Sequence, residues 1–214
     1  MPFPELDAFR QECRAIDDTL AAVPADAWSL PGLGEWSVSE LVAHMVRGVG
    51  RIAAYLDATD GAAAREPVAC DRIGYWRFRF DLVAEAPAVA ARARAEAADV
   101  DPATWPTRFA EAWRRSADRA EAAGPEAPIR ALRGVMRLAD YTATRVLEAV
   151  VHHMDLRTAL GQPPVPTEDA ARSVVADLEA LLGAPKPRTL GRTRFIRVAT
   201  GRLPSDDPRF PLLS

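Results

Sequence analysis

The chain of 214 residues is short of several things at once, and each shortage excludes something. It has two cysteines, Cys13 and Cys70, far apart and without a C-x-x-C partner. In a reducing compartment both read as small hydrophobes, and neither has the neighbouring base that would make it a nucleophile. No block of Lys and Arg occurs, and the net charge of −3 is spread over interspersed signs, so the electrostatic footprint of a nucleic-acid-binding protein is absent. No apolar run reaches the roughly 18 residues of a membrane-spanning helix, and the opening MPFPELDAF lacks the basic and apolar regions of a signal peptide. The expectation is a cytoplasmic protein with neither membrane nor nucleic acid as partner. Lysine is nearly missing, with Lys186 alone among 27 basic residues; beside abundant alanine, that is the mark of GC-rich codon usage rather than of function. No internal repeat is visible.

What is present is half-hydrophobic composition and strong helical periodicity. Residues 5–23 place Leu6, Phe9, Cys13, Ile16 and Leu20 at spacings of three and four, and Pro24 stops the pattern. Residues 24–36 are a Pro/Gly loop in which Trp28 and Trp36 read as anchors. A second helix has a clear start. Ser37 and Glu40 form a capping box, with Trp36 and Leu41 as the hydrophobic staple, and Val38, Leu41, Val42, Met45, Val49, Ile52 and Leu56 make its apolar arc. After a connection over 57–71, the mixed stretch 72–86 carries Arg72, Arg77 and Arg79. These could hold an anion, although a solvated role with packed stems is the simpler reading. Helices are expected over 88–98 and 107–123, the latter turning Phe109, Trp113 and Ala117 inward, and 129–138 alternates weakly as if extended. Beyond a proline-rich turn, Thr167 caps a further helix that ends at Gly183. Residues 193–200 are a short apolar segment and the end is an irregular tail. Long helices with little strand signal argue for an all-α helix bundle around one core.

The stretch 141–161, YTATRVLEAVVHHMDLRTALG, organises the rest. It has no proline, and Gly161 stands where a left-handed C-cap belongs. Glu148 and His152, four apart, stack on one face close enough to share a metal ion, at the rim of the arc formed by Leu147, Val151 and Met154. His153 points about 100° away and is expected in solvent. Alone, such a pair is usually an ordinary surface pair worth a few tenths of a kcal/mol. The third histidine, His44, is placed alike on the flank of the second helix. Gly48 leaves room one turn later, and Arg47 and Arg51 border the same face.

Three segments carry a resemblance. GEWSVSELVAHMV (34–46), TRVLEAVVHHMDL (144–156) and RFIRVATGRLP (194–204) resemble the signatures of the mycothiol-dependent maleylpyruvate isomerase family, whose metal-binding domain is similar to DinB/YfiT-like bundles. The resemblance implies an all-α DinB/YfiT-like four-helix bundle with additional short C-terminal helices, residues 1–201 forming the domain and 202–214 a tail. It implies a divalent metal, usually zinc, on His44, Glu148 and His152, and mycothiol as the thiol. The full isomerase has a second small α/β domain after the bundle, which this chain is expected to lack.

Three ligands leave a fourth zinc position for water or a thiol, and Asp155, one turn beyond His152, is the candidate to orient an imidazole. A metal-bound thiolate could add to an electrophilic small molecule, giving a thiol transferase, or add reversibly to a cis double bond, giving an isomerase. Arg47 or Arg51 could pair with a carboxylate of the cofactor or substrate. Two alternatives stay open: hydrolysis by metal-activated water, and a non-catalytic module in which the metal staples helices for ligand binding or interaction. A homodimer is also open, with no helix face singled out.

Overall fold

The apolar spacings become the inward stripes of long helices. The computed structural model describes residues 2–77 and 82–213. In chain order the helices are α1 (Pro4–Ala21), α2 (Val38–Ala58), α3 (Arg72–Arg77), α4 (Leu82–Ala97), α5 (Trp105–Ala123), α6 (Leu138–Ala159), α7 (Glu168–Leu182) and α8 (Arg192–Ala199). The bundle is α1, α2, α5 and α6, in which α2 packs on α5 and α6, and α1 closes the ring against the same two. Leu6, Phe9, Cys13, Ile16 and Leu20 of α1, Val38 to Ile52 of the α2 arc, and Phe109, Trp113 and Ala117 of α5 are buried together. α6 is covered on nearly every side, because α7 and α3 pack against it as well. Among the described residues no helix is long and apolar enough to cross a membrane.

Local chemistry explains the boundaries. Ser37 Oγ accepts from the Glu40 amide at 3.2 Å, and Glu40 Oε2 accepts from the Ser37 amide at 2.7 Å, so the capping box at the start of α2 is complete. The preceding loop is more ordered than its composition suggests: β1 (Pro31–Leu33) pairs with β2 (Trp36–Ser37) and delivers Trp36 to the first turn of α2. The weakly alternating segment is a hairpin, β3 (Pro128–Ala131) against β4 (Gly134–Arg137), with Ile129 opposite Met136. Its turn needs Gly134, which has φ of 101° and sits where a Cβ would lie 2.8 Å from that of Ala69. β4 runs directly into α6, which therefore begins three residues before the expected Tyr141. The segment 193–200 is helical as α8, and the residues after it, though irregular, are packed. The Leu212 and Leu213 amides donate to the Ala199 carbonyl, and Phe210 meets Phe195 edge to face.

Two expectations are corrected. His153 is not in solvent: it is 1% exposed, because α1 crosses the flank of α6 onto which it points. Its Nδ1 lies 2.6 Å from Glu12 Oε1 and its Nε2 2.9 Å from the Thr19 hydroxyl. Thr167 stands at the N-cap of α7, but its side chain does not cap; the hydroxyl and amide both donate to Glu12 Oε2, at 2.7 and 2.8 Å. One buried carboxylate thus ties α1, α6 and the start of α7. Burial opposes its ionisation, but hydrogen bonds from His153 and Thr167 and the His153 charge outweigh it and hold the Glu12 pKa below the ordinary 4.5.

Elsewhere Arg72 bridges Glu5 and Asp177, each at 3.2 Å, and Arg77 donates to the Ala180 carbonyl, so these arginines pin α3 to α1 and α7. Arg79 lies outside the described residues. Burial raises the thiol pKa of Cys13 well above its usual range, and that of Cys70 is raised too.

Replacing His153 by Ala strands the Glu12 carboxylate and is expected to cost about 3–5 kcal/mol in urea denaturation. With a lowered folded pKa, the Glu12 contribution is present above pH 4.5 and is lost as pH falls through the folded value. Glu12→Gln should therefore show a shallower loss of stability on acidification than the wild type.

Candidate metal centre and its cavity

The α2–α6 contact brings the inward flanks of two helices face to face. His44 comes from α2, and Glu148 and His152 from α6. One ligand atom from each lies within 4.8 Å of the others. His152 Nε2 is 3.3 Å and His44 Nε2 4.0 Å from Glu148 Oε2. Tetrahedral zinc with bonds of about 2.0–2.1 Å sets its ligand atoms roughly 3.4 Å apart, so the donor set suits such a cation after small side-chain movement.

The surroundings orient both rings. His152 Nδ1 meets Asp155 Oδ2 at 3.1 Å, and Asp155 is gripped from the other side by Arg202, Nη2 to Oδ2 at 3.0 Å and Nε to Oδ1 at 3.2 Å. Arg202 also donates to the Thr200 carbonyl at 2.7 Å, so the segment after α8 reaches the site through one carboxylate. Asp155 is only 6% exposed. On α2, Arg47 Nη2 donates to His44 Nδ1 at 3.3 Å, and the Trp36 ring centroid stands 5.1 Å from that of His44.

Burial and neighbours set the charges. Burial pushes the His44 imidazole down to about 3, helped by His152 and by Arg47 and Arg51 against the pull of Glu148. Burial would lower His152 as well, but the hydrogen bonds to Asp155 and Glu148 and their charges lift it to about 9. Burial works against ionised Glu148, yet the His152 hydrogen bond and the Arg145 charge hold its carboxyl well below the usual range; Asp155 is lowered in the same way by His152 and Arg202. Without a bound cation the site therefore holds one imidazolium between two carboxylates, beside a neutral imidazole.

A cavity of about 380 Å³ opens beside the triad. Tyr55, Tyr75 and Trp76 supply aromatic walls, and among the described residues four arginines, Arg47, Arg51, Arg92 and Arg145, face a single lining carboxylate, Glu148. A Cβ on Gly48 would meet nothing within 4 Å, so the glycine widens this space. A broader depression between α1, α5 and α7 contains none of the three ligand candidates and is lined by charges that pair with one another, Arg114 with Asp17 and Arg172 with Asp169.

The family model of the mycothiol maleylpyruvate isomerase N-terminal domain matches residues 9–157. The chain belongs to this family. Two solved structures share the fold: the mycothiol-dependent maleylpyruvate isomerase, at 16% identity and a TM-score of 0.61, and a point mutant of it, at 14% and 0.63. In both, 95% of this chain covers 90% of the other. At such identities the likeness is one of fold, and it agrees with the DinB-like bundle. No curated protein matches the chain.

Of the residues named from sequence, His44, Glu148, His152, Asp155, Arg47 and Arg51 all lie at the triad or its cavity. Trp36, Arg145 and Arg202 were not read as part of the site. Trp36 looked like a loop anchor, Arg145 like one residue of a helix, and Arg202 like part of a tail. The signal for Arg145 was an arginine set one turn before Glu148 in the central helix.

In metal-free protein, Asp155→Asn should bring the His152 titration midpoint down from about 9 toward 6.5, read from the imidazole protons by NMR. Because the folded pKa of His152 is raised, its contribution to stability is full below pH 6.5 and is lost as pH rises through about 9. The decline in Tm across that window should flatten in Asp155→Asn.

Proposed function

We propose that this chain is a divalent-metal-dependent enzyme that uses a low-molecular-weight thiol, mycothiol by family, for thiol transfer to a small electrophile or its cis–trans isomerisation. One observation carries the reading: two imidazoles and a carboxylate from two helices converge within 4.8 Å at the edge of a cavity large enough for a small substrate. His44, Glu148 and His152 would hold the metal, and this mixed nitrogen–oxygen set suits zinc. A cation bound there supplies a lowered pKa to a coordinated thiol, making thiolate available at neutral pH.

The chain's own groups do the remaining work. His44 is already neutral, as a ligand must be. His152 has to release a proton, and Asp155, held by Arg202, then keeps the remaining proton on Nδ1 and leaves the Nε2 lone pair toward Glu148. With His44 holding a metal through Nε2, its ring proton would sit on Nδ1, where Arg47 now donates; Arg47, which also faces Glu96 at 3.6 Å, would then join Arg51 as an anion-holding group for cofactor or substrate. Gly48 and the aromatic walls give the second reactant room and limit water.

Hydrolysis is less well supported, because the described lining of the cavity offers no carboxylate or imidazole beyond the proposed ligands as a general base. A closed structural site fits less well still. His153, the remaining histidine, is engaged by Glu12 and Thr19, and the triad borders open space.

Elemental analysis should find about one zinc per chain in the wild type and at least tenfold less in His44→Ala; equal content would remove His44 as a ligand. Zinc added to metal-free protein at pH 7 should release about one proton, from His152, detectable with an indicator dye.

A further inference from the structure

Arg145 is a buried cation that no carboxylate grips directly; Glu148, one turn on, acts on it only through space. It is 4% exposed, in the middle of α6. Other buried carboxylates have a close ionisable partner: Glu12 has His153, Asp155 has His152 and Arg202, and Asp177 has Arg72. Among the described residues, no carboxylate lies within ion-pair distance of the Arg145 guanidinium. Its Nε donates to the Thr144 hydroxyl at 3.1 Å, and Nη2 reaches the Tyr75 hydroxyl only at 3.5 Å. The rings of Tyr141 and Tyr75 lie 5.1 and 5.8 Å from its central carbon. A guanidinium has five N–H donors in a planar fork, so most of its hydrogen-bonding capacity is unspent.

That unspent capacity borders open space. Arg145 and Glu148, one turn apart, both line the 380 Å³ cavity, in company with Arg47, Arg51 and Arg92. A buried cation without a partner is costly, and aromatic rings return only part of that cost. The same fork, held by Thr144 and the two tyrosines, is a ready receptor for a planar anion, which a carboxylate would fill in bidentate fashion.

We propose that Arg145 anchors a carboxylate-binding subsite beside the triad and is the main determinant of specificity for a small organic acid there, with Arg47, Arg51 and Arg92 as the outer rim. The inference rests on the proposed function for the role of that acid, which is carried either by the electrophile or by the thiol, but not for its binding. A carboxylate at Arg145 lies against the triad and is presented to whatever reacts there.

The test is calorimetric titration with succinate, run on both metal-free and zinc-loaded protein, so that a failed metal assignment leaves it readable. Wild type should bind succinate and not succinamide, its neutral analogue. Arg145→Met should weaken succinate at least about tenfold with Tm little changed, since it removes a costly buried charge together with its attraction to Glu148, whereas Arg108→Met, on the exposed face of α5, should not matter. If Arg145→Met does not fold, Arg145→Lys decides, because it keeps the charge without the fork and should bind about threefold or more weakly. Succinate binding as tight in the Arg145 variant as in the wild type, succinamide binding equal to succinate, or no binding by wild type at about 10 mM would overturn the proposal. On zinc-loaded protein, cysteamine, a thiol without a carboxylate, locates the source: binding together with succinate assigns the acid to the electrophile, and mutual exclusion assigns it to the thiol, each in support of the subsite.

Discussion

The proton shared among Glu148, His152 and Asp155 is the constraint on which the site depends. An imidazolium 3.3 Å from one carboxylate and 3.1 Å from another neutralises charge that burial would otherwise make prohibitive. A divalent cation at the proposed position would serve the same acidic groups with greater charge, so proton and metal compete for one place. The Asp155–Arg202 pair draws the segment after α8 into that balance, and it would keep His152 oriented if a cation took the proton's place.

The same logic of buried charge runs through the rest of the molecule. Glu12 and His153 hold α1 to α6 and spend the remaining lone pairs of the carboxylate on Thr167, fixing where α7 begins. Arg72 fastens α3, and with it the Tyr75 and Trp76 wall of the cavity, to Asp177, whose carboxyl burial lifts to about 6 despite the neighbouring arginine. In each case the buried group has a close ionisable partner within the protein. Arg145 departs from that pattern at the point where the interior opens beside the triad, and a ligand is the partner that completes it.

Much of this was legible in the residues, and what was not has a physical cause. The capping box of Ser37 and Glu40 is a contact three residues long and could be read directly. The flanks carrying His44, Glu148 and His152 followed from helical spacing. His153 was misread because the direction of a side chain on a helix says nothing about which neighbour covers it, and α1, far away in sequence, does. Thr167 was read as a cap for the same reason: its backbone is that of an N-cap, but its hydroxyl donates to Glu12, remote in the chain, and accepts from no helix amide. Trp36 and Arg202 lie in segments without periodicity, where spacing carries no information about direction.

By itself, then, the sequence determined the elements: which stretches are helical, where α2 starts, where Gly161 and Gly183 end α6 and α7, and which face of each helix is apolar. These depend on backbone hydrogen bonds and side chains a few residues apart. The tertiary structure alone decided that the α2 and α6 flanks meet, that the end of the chain grips Asp155, and that Arg145 is buried beside the cavity with no carboxylate in direct contact. Those outcomes turn on contacts between residues tens of positions or more apart, set by how the helices pack and how buried charge is balanced, and no local spacing encodes them.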